Sequence, residues 1–188
     1  MIYIVTTCTR PENLEIIKKT IPAECTWVVV FDKSVQNIQH VEGALNLDSP
    51  YTGDVGMPNR NYALDTVEFS DLDWIYVLDD DNIIHPDWYQ AVRPMLLEEF
   101  NHVNMVTWGQ VWRNNSVRLE PTAYPRLGNV DTASYMVRGR LMRTLRYAMD
   151  YCADGILAQQ AAAFGNIITI HSYLGYNNYL RTPEDRMY

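Results

Sequence analysis

The sequence predicts a single-domain α/β fold of three layers with a mostly parallel central sheet. Three observations carry that prediction. Apolar, β-branched runs recur along the chain and are too uniformly apolar to leave one face wet, the pattern of parallel strands covered on both sides. Stretches of helical period separate several of these runs, giving β-α-β order. The 188 residues are enough for one sizeable core and short for two.

Residues 2–6 (IYIVT) read as the first buried strand. Residues 9–21 (TRPENLEIIKKTI) follow as a helix, with Leu14, Ile17 and Ile21 at helical spacing and Thr9 and Glu12 in capping-box spacing. Residues 26–32 (TWVVVFD) form a second buried strand ending in Asp32. The two glycines and two prolines of residues 48–59 (DSPYTGDVGMPN) mark a loop. A helix is predicted over 60–69, a strand over 73–78, a helix over 85–100 bent at Pro94, and a strand over 104–112. Residues 113–130 read as irregular. A short strand over 134–139 precedes helices over 140–149 and 154–164, the second with Asp154 at its N-cap. A last strand covers 166–171, and residues 173–188 read as a polar, aromatic tail without periodicity.

The formal net charge of -8 sets the chain against nucleic acid and anionic membranes, whose phosphates it would repel. An anionic small ligand remains compatible where a metal or local basic residues neutralise it. Three cysteines without metal-type spacing point to a reduced, cytoplasmic compartment. The opening apolar run is too short for a signal h-region, and no later segment approaches the ~18 apolar residues of a span, so no integral membrane segment is expected.

The chemistry concentrates in WIYVLDDDN, where Asp79, Asp80 and Asp81 follow a buried strand directly. Ligands of open α/β sheets sit beyond the carboxyl ends of the strands. Thr6, Asp32 and the three aspartates all fall at such ends. On an extended chain Asp79 and Asp81 share a side and Asp80 points away. Two hard oxygen donors at that spacing suit Mg²⁺ or Mn²⁺, leaving positions for water and phosphate. The plainer alternative is a set of solvated carboxylates capping the helix that begins near Pro86. Two features count against a calcium loop: Ile83 stands at its fifth position and the sixth-position glycine is missing.

VLDDDN after a buried strand resembles the D-x-D motif of GT-A (Rossmann-like) glycosyltransferases. IVTTCTRPENL and TWVVVFD resemble the first two strands of those enzymes. GMPNRNYALDTVEFSDLDWIYVLDDDN is similar to the region of the inverting β-1,3-glucuronyltransferase-like family in which an R-N-x-A-L helix precedes a D-D-D-N site. The resemblance covers residues 2–90 well and the remainder loosely. It implies a nucleotide-sugar-binding half at 1–90 and an acceptor or catalytic half at 91–188. The implied reaction is metal-dependent transfer of a hexosyl or glucuronyl group from a nucleotide sugar, by expectation UDP-linked, to a carbohydrate hydroxyl with inversion.

Carried over by position, the resemblance gives Asp81 the Mn²⁺ or Mg²⁺ that bridges the donor diphosphate, and Asp79 or Asp80 the ribose or a share of the metal. Thr6, Thr7 and Arg10 would cradle the nucleotide, with Asp32 on the base or ribose and Arg10 and Arg60 beside phosphate. Asp154 would be the general base, with Asp131 the second candidate, and His171 would complete the metal or diphosphate site. Trp108, Trp112, Tyr173 and Tyr176 are candidates for stacking on sugar faces. Two other readings stand beside this one. A sugar-1-phosphate nucleotidyltransferase calls for a Gly-rich basic loop after the first strand, which TTCTRPE does not supply. The other is a non-catalytic nucleotide-sugar or carbohydrate-binding domain.

Overall fold

Alternation along three strands sorts their side chains to two faces, and each face acquires its own helices. The computed structural model describes residues 1–53 and 56–181. From β1 (Ile2–Cys8), β2 (Thr26–Phe31) and β4 (Trp74–Val77), the residues Ile2, Ile4, Val29, Phe31, Trp74 and Tyr76 face one way. They pack against Leu14 and Ile17 of α1 (Leu14–Lys18) and Trp88 and Val92 of α3 (Trp88–Val92). Val5, Val28, Val30, Ile75 and Val77 face the other way. They meet Met57, Ala63 and Leu64 of α2 (Met57–Thr66) and Leu157, Ala158 and Ala161 of α5 (Ala153–Ala162). The result is the single-domain, three-layer α/β fold that the apolar runs demand.

The sheet runs β3-β2-β1-β4-β7-β5-β6, with β8 also paired to β5. Here β3 is Leu45–Asp48, β5 Met105–Trp112, β6 Val117–Leu119, β7 Tyr135–Arg138 and β8 Ile167–Asn177. Only β6 and β7 run against the rest among the described residues, so the sheet is mostly parallel. From β1 the chain builds outward through β2 and β3, then returns to place β4 on the other flank of β1. Connections therefore diverge beyond the carboxyl ends of β1 and β4, which opens a crevice there.

Several expectations change. β3 escapes the sequence reading because it is four residues long and half exposed at the sheet edge, and β6 is a three-residue hairpin partner within the stretch read as irregular. β8 continues through residues 173–177 of the expected tail, pairing with β5 across a bulge between Thr107 and Gln110. Residues 54 and 55 of the predicted loop and 182–188 of the predicted tail lie outside the described residues.

The helix expected over 85–100 keeps regular turns only to Val92. It continues as 3-10 turns at Arg93–Leu96 and Glu98–Phe100, because Pro94 has no N–H to give. The helix expected over 140–149 shrinks to α4 (Gly139–Met142). Beyond it the Asn61 side chain exchanges two 2.9 Å hydrogen bonds with the Tyr147 backbone, pinning an irregular path. Neither predicted cap forms: Arg10 precedes the 3-10 turn Pro11–Asn13, and Cys152 is the N-cap of α5, with Asp154 inside its first turn. Among the described residues no helix is long and apolar enough to cross a membrane.

A buried guanidinium ties the β4–β7 edge together. Arg138 is 1% exposed, lies 3.8 Å from the Trp74 ring centroid, and donates to the carbonyls of Val103, Met95, Phe100 and Leu72. Burial, then Arg140, pull its pKa down to about 10 against Asp73, so it remains a cation at neutral pH. Three carbonyls from the β4–β5 connection and one from the segment before β4 thus converge on a single side chain. Arg138→Met should lower unfolding free energy by about 3 kcal/mol or more, since each carbonyl left without a donor costs about 1–3 kcal/mol. Urea denaturation checks this, and Arg138→Lys should recover only part of the loss because it lacks the planar fork.

Candidate active site

One open cleft of about 800 Å³ lies beyond the carboxyl ends of β1, β2 and β4, closed on its far side by the start of α5 and the end of β8. Every expected catalytic, nucleotide-binding or metal residue except Thr6 and His171 lines it. Thr6 is fully buried beneath the sheet, accepting a 3.0 Å hydrogen bond from Trp27 Nε1. His171 sits exposed in the middle of β8. That strand runs six residues further than expected, so Asn177, Asn178 and Arg181 reach the cleft in its place.

The three aspartates have three different environments. β4 ends at Val77, and a turn closed by Asn82 N on Asp79 O (3.0 Å) follows, so strand alternation does not govern them. Asp80 turns toward the loop after β1. Its Oδ2 accepts from Thr9 N (2.6 Å), Thr9 Oγ1 (2.9 Å) and Arg10 N (2.8 Å), while Arg10 Nη1 holds Oδ1 at 2.5 Å. Four protein donors on its two oxygens make Asp80 a latch between this turn and the loop after β1. Thr9, expected to cap a helix, serves the same latch.

Asp79 accepts from Arg60 Nη2 at 2.5 Å and from Thr132 Oγ1 at 3.0 Å. Asp81 accepts from Arg181 Nε at 2.6 Å, with Arg10 Nη1 3.8 Å away. Burial, then the charge of Asp79, push its carboxyl up to about 6 although Arg181 opposes them. Arg60 comes from the first half of α2. It is buried, and its Nη1 also reaches Asp154 Oδ1 at 2.8 Å. Burial works against its charge, but Asp79 and Asp154 carry its pKa well above the ordinary value.

Asp32 stands at the end of β2. Its Oδ1 accepts from Ser34 N (2.8 Å) and Ser34 Oγ (2.6 Å), and its Oδ2 from Asn59 Nδ2 (2.7 Å). Burial pushes the carboxyl up, but hydrogen bonds from Ser34, Thr52 and Asn59 outweigh it and hold the group below its usual range. Asn59 is fully buried, and its Oδ1 has no partner among the described residues. α2 can approach this closely because Gly56 precedes it with φ +80, where a Cβ would stand 2.9 Å from Thr7 Oγ1.

On the opposite wall Asp154 keeps 23% of its side chain exposed. Burial raises its pKa, Arg60 opposes that rise, and Asp79 and Asp131 add to it, leaving the group at about 6. Asp131 caps the 3-10 turn Thr132–Ser134 in a capping box and accepts from Arg118 Nη1 at 2.7 Å, so both of its oxygens have structural partners. Of the four aromatic candidates only Trp112 lines the cleft, under the Arg118 guanidinium at 5.5 Å. Trp108 is core and donates to Ala133 O, Tyr173 donates to Glu120, and Tyr176 packs against His85 and Tyr179.

Sequence reasoning missed Asn59, Thr132, Arg118 and Arg181. The first stood in plain view in P-N-R-N, where polar residues occupy buried helix positions. Arg118 lies in the three-residue β6, Thr132 in a 3-10 turn and Arg181 just beyond β8, and nothing local distinguishes them.

Six aspartates and four arginines among the described lining residues give the cleft a formal charge of -2. A diphosphate would be repelled from it, whereas a divalent cation would neutralise it. Asp79 and Asp81 accept fewer protein donors than Asp80 and are the carboxylates better placed to meet such an ion. No group of three or more His, Cys, Asp or Glu among the described residues is arranged to hold a metal alone. A cation here must complete its shell from substrate oxygens and water, as Mg²⁺ and Mn²⁺ commonly do.

No family model and no curated protein matches the chain. Solved structures do. TarS 1-349 from S. aureus superposes with a TM-score of 0.71 at 15% identity, over 93% of this chain and 59% of that one. This chain therefore spans a little over half of that structure. A 4-diphosphocytidyl-2C-methyl-D-erythritol synthase gives 0.55 at 11% identity, covering 98% and 94%. The bifunctional IspDF from Campylobacter jejuni gives 0.51 at 10% identity, covering 98% and 53%. At such identities the likeness is one of fold, and the fold is of the GT-A, Rossmann-like kind.

The split between latch and ligand is testable. Asp80→Asn should cost about 2–3 kcal/mol, because at least one donor of the set on Oδ1 and Oδ2 loses its charged acceptor. Denaturation should register that loss, and amide exchange should quicken at Thr9 and Arg10. Asp81→Asn should be far milder in both measurements.

Proposed function

We propose that the chain is a metal-dependent glycosyltransferase of the GT-A kind, moving a sugar from a nucleotide sugar, UDP-linked in the first instance, to a carbohydrate hydroxyl with inversion. One observation carries this reading: strand-end carboxylates suited to a cation–diphosphate pair and a partly exposed, near-neutral carboxyl on a separate helix face the same cleft. The fold likeness of the GT-A kind, with TarS among the structures that superpose, supports it. The nucleotidyltransferase alternative draws on structures that superpose less closely, and it lacks a Gly-rich loop after β1.

In this reading Asp32 stays ionised at neutral pH and, with Asn59, receives the ribose or base. Asp79 and Asp81 would hold the cation, which would supply Lewis-acid stabilisation of the departing nucleoside diphosphate. Arg10 and Arg181, already beside Asp81, lie where phosphate oxygens would come. Asp154 takes the proton of the acceptor hydroxyl while that oxygen bonds to the anomeric carbon. The bond from that carbon to the diphosphate oxygen breaks, and its electron pair leaves with the nucleotide. Trp112 offers the acceptor an apolar face at the rim of the cleft. Attack opposite the leaving group converts an α-linked donor into a β-linked product.

Calorimetry of Asp81→Asn with Mn²⁺ and UDP should show binding lost with the fold intact; unchanged affinity would remove the cation from this position.

Asp154→Asn should lower turnover by roughly a hundredfold or more, the usual scale of a general base, while Asp79 remains a partner for Arg60 and the fold persists. In the native chain kcat/KM should fall at least tenfold per pH unit below about 6, because the base works only ionised and both Asp154 and Asp81 have pKa values raised to about 6. NMR of the product's anomeric proton completes the test. A β linkage from an α donor supports Asp154 as the base, and a retained α linkage removes it from that role.

A further inference from the structure

Arg60 stands between the two halves of the proposed reaction. It donates to Asp79 at 2.5 Å and to Asp154 at 2.8 Å, residues 19 and 94 positions away in sequence. Its side chain is 4% exposed, the guanidinium lies 5.2 Å from the Tyr147 ring centroid, and Nε has no acceptor among the described residues. A guanidinium so enclosed has no water to turn to when one carboxylate releases it. Its remaining interaction must shift to the other carboxylate, since an uncompensated buried charge is costly.

We infer that Arg60 is a positioning residue that couples occupancy of the Asp79 site to the state of Asp154. The inference rests on the proposed function and goes beyond it. With Asp79 unliganded, one positive charge is divided between two carboxylates. Once the charge of Asp79 is engaged by a cation and donor diphosphate, Arg60 is left to Asp154, which it holds ionised and fixed in direction. The base is thereby readied when the donor is in place. Binding couplings are reciprocal. Neutralising Asp154 must leave the full charge of Arg60 against Asp79 and weaken cation binding there. Asp131 and the buried hydroxyls of Tyr135 and Tyr147 also face Asp154, but none of them is shared between the two carboxylates in this way.

Calorimetry of Mn²⁺–UDP binding to four proteins tests this without any turnover: native, Asp154→Asn, Arg60→Lys and the double variant. Asp154→Asn should weaken binding about fivefold or more in the native background, the low end of ordinary site–site coupling. In the Arg60→Lys background the effect should shrink below about twofold, because one ammonium cannot fork across both carboxylates. No effect of Asp154→Asn, or the same effect in both backgrounds, would overturn the inference; the second result would mean a direct field between the acids. If Arg60→Lys does not fold, Arg60→Gln takes its place with the same expected loss of coupling. Native protein that fails to bind Mn²⁺–UDP at all would overturn the proposed function together with this inference. Binding that ignores Asp154 would overturn the inference alone.

Discussion

Six carboxylates gathered at one end of a sheet repel one another, and their partial burial strengthens that repulsion. The molecule meets this constraint with arginines drawn from four separate places: Arg10 after β1, Arg60 in α2, Arg118 in β6 and Arg181 just beyond β8. Each reaches an aspartate on another element, from 13 to 100 residues away. The ion pairs that make the cleft tolerable are therefore also the ties that close it. What they leave over is a charge of -2, which matches one divalent cation.

The fold was legible because its central strands are buried on both sides. Runs such as TWVVVF carry their own assignment, and so does the R-N-x-A-L helix lying between two of them. Edges and connections were not legible. LNLD and VRL are too short and too exposed to stand out, and β8 passes through polar and aromatic residues whose only shared property is pairing with β5. The first half of the site was readable for the same reason as the strands, since Asp32, Asp79 and Asp81 sit where a buried strand ends. Thr6 and His171 show the limit of that logic. One faces the core beneath the sheet, and the other is stranded midway along a strand longer than its apolar segment.

Three adjacent aspartates with identical chemistry are separated by their donors alone. Asp80 receives two backbone N–H groups, a hydroxyl and a guanidinium, and so becomes part of the scaffold. Asp79 receives a guanidinium it must share, and Asp81 receives one whose side chain is 30% exposed and so lies nearer water. The acid with the most protein donors is the least available to a ligand, and one held by a donor near water is easier to re-partner than one held by a buried donor. Sequence cannot rank them, because the donors arrive from Thr9, Arg60 and Arg181, none of which is a neighbour in the chain.

Buried ion pairs are poor sources of stability, because removing the charges from water costs about as much as their attraction returns. An apolar cluster of similar volume would serve the fold at least as well at the centre of Asp79, Arg60 and Asp154. The core facing α2 and α5 already shows such packing in Met57, Ala63 and Leu157. Stability therefore does not account for a charged triad in that place. A role that needs both acids ionised, close and answerable to the same cation does account for it. In glycosyl transfer, one acid would sit with the leaving group and the other with the attacking hydroxyl.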